Sequence, residues 1–236
     1  MFDLAEVRVR LDQMTERILS RLKDRSRFPK NPPVYHAGGV PVEGRSGISL
    51  LEFSLEGLET YHSSLGRYSF PDQYPLFSTQ PHTSGVRRTI AGTDEPRIDI
   101  PIKDHLLAFY TRTVDILCRD GEDPDSFGET AYIDADLIHL LHERINIGRH
   151  IAAAKVAANP QLDAIIADSA ALSAELRDAA REEILLQSVE AAARRYELDP
   201  GVARNVFRWI IDETLALEVS YLQGLAAEDA ITALRR

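Results

Sequence analysis

The chain has 236 residues, 44% of them hydrophobic and 27% charged, with a formal net charge of −10 at pH 7. That length can bury a sizeable core as one large domain or two small ones. The negative balance excludes general affinity for nucleic acid or an anionic membrane, since both need a positive surface field, so any bound anion must be gathered by a local cluster of Arg and Lys. Cys118 is the only cysteine, which excludes an intrachain disulfide framework and a thiolate metal cage and fits a reducing compartment, the cytoplasm by default. The start, Met1-Phe2-Asp3-Leu4-Ala5-Glu6, has neither a basic leader nor an apolar h-region, and no apolar run approaches the roughly 18 residues that span a bilayer. The expectation is a protein neither secreted by that route nor inserted.

Residues 3 to 26 read as an amphipathic helix, with Leu4, Leu11, Ile18 and Leu22 on one face and Pro29 soon after its end. The stretch 29–47 is rich in Pro and Gly and reads as a loop ordered by packing against the rest of the chain. A second helix is expected from Ser49 to Leu65, and an irregular region from Pro71 to Arg97. A third helix runs from Lys103 to Arg119, and a polar linker over 121–126 leads into a long helix from Thr130 to Ala158, broken at Asn159-Pro160. Two more helices, 172–197 and 200–228, complete the chain; Asp199-Pro200 between them has the form of an N-cap followed by an N1 proline. No alternating strand pattern, 20–50 residue repeat or low-complexity tract interrupts this series. The reading is all-α, a single domain over 1–236 built as a bundle of long amphipathic helices around a polar cavity.

The charges carry the functional signal. On the stripe formed by Ile133, Leu137, Leu140, Ile147 and Ile151, Arg144 and Lys155 fall on the apolar face instead of opposite it. Eleven residues separate them, which at about 100° per residue returns to within roughly 20° of the same direction, some 16 Å along the axis. Either both cations look into one cleft, or long side chains snorkel from the edge of the stripe to solvent. The same anomaly recurs: Arg8 lies between Leu4 and Leu11, Glu182 between Ala179 and Leu186, and Thr214 with Glu218 between Ile211 and Tyr221. Asp178/Glu182 and Thr214/Glu218 are i,i+4 pairs, each on one helix face. Singly these are weak signals; together they point to a cavity for a small anion, because unpaired buried charges are too costly to accumulate. His139 and His142 lack the acidic partner of a metalloprotease helix and read as structural or solvent-facing, and His36, His62 and His105 are isolated. With no phosphate-cradling Gly-rich loop and no nucleophile context around Cys118, neither a metal nor a cofactor is called for.

With these residues in view, the chain resembles the all-helical chorismate mutases, and specifically their longer type known from fungi and plants. The resemblance is carried in order by Val7-Arg8 through Arg25-Ser26-Arg27-Phe28 and Val34-Tyr35; by Arg67-Tyr68-Ser69-Phe70-Pro71-Asp72 with Pro75; by Ser126-Phe127-Gly128; by Arg144-Ile145 through Ala154-Lys155; and by Glu182 to Leu185 and Thr214 through Glu218 to Tyr221-Leu222. It implies conversion of chorismate to prephenate, a Claisen rearrangement that needs neither nucleophile nor cofactor, by a homodimer acting toward phenylalanine and tyrosine. It further implies that Arg8 and Arg144 bind the two carboxylates, that Lys155 donates to the ether oxygen, and that a protonated Glu218 faces the same oxygen. Glu182 would hold the substrate hydroxyl, with Asp178 and Thr214 supporting orientation; Arg181 has a counterpart in the short bacterial relatives.

The resemblance also implies departures at the effector site, which in the longer type uses two adjacent arginines before Pro-Asp and small hydroxyl residues after Phe-Gly, at a dimer interface. Here Gly66 precedes a single Arg67, and Gly128 is followed by Glu129 and later by Tyr132, so amino-acid regulation is expected to be lost or altered. Two alternative readings remain at this level. One is a sister enzyme acting on 4-amino-4-deoxychorismate or isochorismate, and the other is a catalytically silent helical sensor or partner protein, against which the full set of polar core positions argues.

Overall fold

The computed structural model describes residues 4–69, 73–77, 85–86 and 97–228. Phe70-Pro71-Asp72 and most of the irregular 71–97 stretch lie outside the described residues. Among the described residues the architecture is helical: α1 Leu4–Arg25, α2 Leu50–Ser64, α3 Lys103–Leu117, α4 Phe127–Asn146, α5 Gly148–Ala158, α6 Ser169–Leu176, α7 Ala179–Arg195 and α8 Pro200–Ala227, with short 3-10 turns between them. The only extended pairing there is an isolated bridge between Val42 and Arg45. No helix in this set is long and apolar enough to cross a membrane.

Local chemistry sets the helix starts. At α2, Ser49 Oγ accepts from the Glu52 amide at 3.1 Å while the Glu52 carboxylate accepts from the Ser49 amide at 3.2 Å, a reciprocal capping box. The α8 start is the expected one: Asp199 accepts from the Val202 amide at 3.0 Å, and Pro200 occupies the first turn, where its missing N–H costs nothing.

Two expected helices are each divided. The stretch read as one helix over 130–158 is α4 and α5, joined at Ile147, and α4 already begins at Phe127. The stretch read as 172–197 is α6 and α7, separated at Arg177-Asp178, with α6 starting at Ser169. In the second case the cause is capping: Asp178 accepts from the Arg181 amide at 3.1 Å and opens a new helix where periodicity alone would continue the old one. In the first, Gly148 lies against α8. A Cβ there would stand 2.8 Å from Thr214 Cγ2, so the close approach of the two helices requires glycine.

Helix α4 is the hub. It packs against α1, α2, α3, α5 and α8, and Ile133, Leu137, Ile138, Leu140, Leu141 and Ile145 are buried. The main core joins α1, α2, α3, α4, α7 and α8, and a second one joins α5, α6 and α8 through Ala152, Val156, Leu172, Leu176, Leu215 and Leu222. A third, small cluster of Val7, Met14 and Ile147 locks α1 onto the α4–α5 joint.

Two buried guanidinium groups fasten the periphery, one to α4 and one to α5. The fully buried Arg25 donates to Asp134 at 2.7 Å and to the Pro29 and Lys30 carbonyls at 3.0 Å, while Tyr35 and Tyr110 each donate to Asp134 at 2.5 Å. Arg149 donates to the Ile98 carbonyl at 2.5 Å and stacks on Tyr74 with its guanidinium carbon 3.9 Å from the ring centre. The segments at 73–77 and 97–100 are thereby strapped onto α5.

Candidate active site

Arg144 is the anomaly that organises the site. It sits near the end of α4, is only 6% exposed, and its Nε has no hydrogen-bond partner among the described residues. Burial pulls its pKa down to about 10, with Asp12 of α1 the one opposing influence. A guanidinium in that position is costly unless an anion completes it.

On α5, Lys155 Nζ donates to Glu218 Oε2 at 2.8 Å and to the Leu176 carbonyl at 2.9 Å. This one amine ties α5 to α8 and to the end of α6. Glu218 is 4% exposed. Burial raises its pKa, Lys155 works in the opposite direction, and the nearby charge of Glu182 adds to the rise. One turn before Glu218 on α8, Thr214 Oγ1 is buried without a partner among the described residues. Lys155, Glu218, Thr214 and Glu182 therefore converge from three helices.

The remaining expected residues sit nearer the solvent. Arg8 is exposed on α1, one turn before Asp12, and it forms no ion pair among the described residues. Asp178 is exposed, with its carboxylate engaged as the α7 cap, and Arg181 is exposed too. Glu182 is met by Arg177 and Arg208, each at 3.5 Å, and not by Arg181. Neither arginine was visible to sequence reasoning: Arg177 lies in the unexpected helix break, and Arg208 reaches across from another helix.

Arg67 is engaged by a carboxylate, at 2.9 Å from Glu143 Oε2, and its Nη1 is 3.1 Å from His62 Nε2. Gly128 is exposed at the start of α4, followed by exposed Glu129 and, farther on, Tyr132. Glu143 also pairs with Arg10 at 2.9 Å. With His62, Arg67, His139 and His142, it lines a polar pocket that shares no residue with the cluster around Arg144 and Lys155. His139 and His142 are buried structural histidines, and burial lowers their pKa values to about 4 and about 3. Among the described residues no three of His, Cys, Asp or Glu are grouped so as to hold a metal ion.

The family model described as chorismate mutase type II matches residues 127–219, the span from the start of α4 to Val219 on α8 that carries Arg144, Lys155, Glu182, Thr214 and Glu218. Along this span and beyond it, the chain is similar to the chorismate mutases. It is 26% identical to the chorismate mutase of Emericella nidulans over 93% of this chain and 91% of that protein, and 27% identical to that of Schizosaccharomyces pombe over 93% and 94%. Among solved structures it superposes with a TM-score of 0.85 on the Aro7p chorismate mutase of Candida albicans in complex with L-Trp, at 26% identity over 94% of this chain and 90% of that one. It also superposes with a TM-score of 0.80 on AtCM1 with tyrosine bound in its allosteric site, at 26% identity over 94% and 96%. These relatives are the longer, fungal and plant type, and the match extends along nearly the whole chain.

Proposed function

We propose that this chain converts chorismate to prephenate, and that it does so by holding a flexible dianion in its reactive shape. The observation that carries the proposal is the buried Arg144, with no carboxylate on it among the described residues, in a site where a second cation, Lys155, is aimed at a buried carboxyl. In the rearrangement the ether C–O bond breaks while a C–C bond forms in the same molecule, and no proton is gained or lost. The protein's task is therefore positioning and stabilisation of charge on the departing ether oxygen.

Arg144 takes one substrate carboxylate, and Arg8, exposed and free to swing at the mouth, takes the other, since the guanidinium fork suits bidentate pairing. Substrate entry parts Lys155 from Glu218, and the ether oxygen accepts from both. Glu218 can donate only when protonated, and its burial and the neighbouring Glu182 favour that state. Glu182 accepts from the substrate hydroxyl, Thr214 Oγ1 supplies a further polar contact, and Asp178 and Arg181 stand at the rim.

The chain acts as a homodimer in this reading. Helices α2 and α4 pack on each other and leave Phe53, Tyr61 and Tyr132 exposed, an apolar set suited to a second copy; sedimentation at micromolar concentration tests it. A cytoplasmic location accords with Cys118 as a buried free thiol and with a maize relative named as cytosolic, other relatives being named as chloroplastic. Regulation by tyrosine or tryptophan is lost or altered, because Arg67 is already neutralised by Glu143 and Glu129 would repel an effector carboxylate. A change in rate beyond about twofold on adding either amino acid, a factor that represents about 0.4 kcal/mol, contradicts that part. The activity itself is tested by following loss of chorismate absorbance with purified protein and identifying the product; failure to form prephenate removes the assignment.

A further inference from the structure

Glu143 immediately precedes Arg144 near the end of α4, and its two carboxylate oxygens take guanidiniums from two other segments. Arg10 of α1 donates to Oε1 at 2.9 Å, and Arg67, in the short 3-10 turn Arg67–Ser69 after α2, donates to Oε2 at 2.9 Å. The carboxylate is the inner member, with its side chain 17% exposed against 36% and 27% for the two arginines. Arg67 also donates to Gln73 Oε1 at 3.3 Å and lies against the His62 ring. Glu143 is thereby held in place independently of α1.

The early turns of α1 rest on α4 and α5 through a small apolar cluster, Val7 and Met14 on Ile147, with Leu11 and Ile151 beside them. At about 100° per residue, Arg10 lies about 60° to one side of Val7 and Arg8 about 100° to the other. The two arginines therefore flank the buried stripe. Apolar packing is non-directional, whereas a guanidinium–carboxylate bond has a preferred distance and angle. The Arg10–Glu143 pair on one edge of the stripe accordingly sets the roll of α1 about its axis, and with it the direction in which Arg8 points from the other edge.

We propose that Glu143 is a positioning residue for substrate binding: by holding Arg10 it fixes where Arg8 stands relative to Arg144, and so the spacing of the two guanidiniums that take the two carboxylates of one dianion. The inference rests on the reading above, in which Arg8 and Arg144 are those two groups. A partly exposed ion pair adds little to stability, so its effect is expected in binding rather than in folding.

Charge alone predicts the opposite sign. Glu143 is a negative charge on the residue next to Arg144, and its removal in Glu143→Gln would by Coulomb attraction tighten the binding of a dianion. Loss of position loosens binding, because an amide has one acceptor oxygen and one donor NH2 group and cannot accept from both arginines.

The test measures KM and kcat for chorismate in the wild type, Glu143→Gln, Arg8→Met and the double variant, with thermal unfolding of each in parallel. KM does not depend on the fraction of protein that is folded, so a variant that is merely less stable leaves it unmoved. Glu143→Gln is expected to raise KM about fivefold with kcat within about twofold of wild type, and to add no further rise in the Arg8→Met background. A KM unchanged or lowered in Glu143→Gln, or a rise of the same factor with and without Arg8, overturns the positioning role. Wild-type protein inert toward chorismate overturns the functional reading instead, so the two failures are distinguishable.

Discussion

The Lys155 ammonium lies 2.8 Å from Glu218 Oε2 and 2.9 Å from the Leu176 carbonyl, so that one amine holds the reactive carboxyl and the end of α6 together. Removing its charge loosens three helices at once. The pair also sets the pH behaviour of the site, because the carboxyl can serve as a donor only in its protonated form.

Burial holds the Glu218 pKa above the ordinary carboxylate range. At pH below that value the carboxyl is protonated and donates to the ether oxygen; above it the carboxylate repels the oxygen. Turnover is expected to be flat on the acid side and to fall as pH rises through the Glu218 pKa, by up to about tenfold per unit. Glu218→Gln keeps a donor at every pH and should flatten the profile. A pH–rate curve of the same shape in wild type and Glu218→Gln removes Glu218 from the chemistry.

A different buried carboxylate carries stability. Asp134 accepts from Arg25, Tyr35 and Tyr110, and Arg25 is fully buried. Asp134→Ala leaves that guanidinium without its counter-charge, and denaturant unfolding should show a loss of about 3–5 kcal/mol. A loss below about 1 kcal/mol, the size of an ordinary surface effect, contradicts the network's role.

Gly148 tests the joint between α4 and α5. A helical Gly→Ala change ordinarily stabilises by up to about 1 kcal/mol. Here the added Cβ meets Thr214 Cγ2 at 2.8 Å and Leu217 Cδ2 at 3.4 Å. Thr214 is β-branched and stiff, so α8 must shift. Gly148→Ala is therefore expected to lower both the melting temperature and kcat; a higher melting temperature with full activity means that the helices part freely there.

His139 and His142 give acid sensitivity. Burial depresses their pKa values to about 4 and about 3, below the roughly 6.5 of an unfolded imidazole. The unfolded chain therefore binds protons first. The stability these neutral rings contribute is present above about pH 6.5 and lost progressively as pH falls toward their folded values. At pH 5 the loss amounts to up to about 2 kcal/mol for each ring, at 1.36 kcal/mol per pH unit. Unfolding of His142→Gln at pH 7.5 and pH 5 should show a smaller difference than wild type; an equal difference places the acid sensitivity elsewhere.

Much of this was legible in the sequence, for identifiable reasons. Apolar spacing gave the helical class, and Asp199-Pro200 marked the α8 start because capping chemistry is local. Arg144 and Glu218 stood out since each interrupts an apolar stripe, and both are buried. The breaks at Ile147 and Arg177-Asp178 did not stand out: Ile147 keeps helical backbone angles and carries no local stop signal, and the other break rests on an aspartate whose capping role competes with an unbroken period. Arg8 lies on its stripe yet is exposed, because periodicity fixes direction along a helix and not the depth of what covers it. Arg177 and Arg208 were missed because pairing between helices leaves no spacing signature.

Arg144 decides the account, since the same feature makes it costly and useful. Arg144→Met replaces a buried guanidinium, which has no ion pair among the described residues, by an apolar chain of similar length. The measurement is kcat/KM for chorismate in wild type and Arg144→Met, with the unfolding free energy of both determined in parallel. The expected result is a fall in kcat/KM of at least about a thousandfold, or some 4 kcal/mol of transition-state binding, together with stability unchanged or raised by about 1 kcal/mol. A variant that retains near wild-type turnover, or that loses turnover only because it unfolds, contradicts the claim that this buried cation is kept for an anionic substrate.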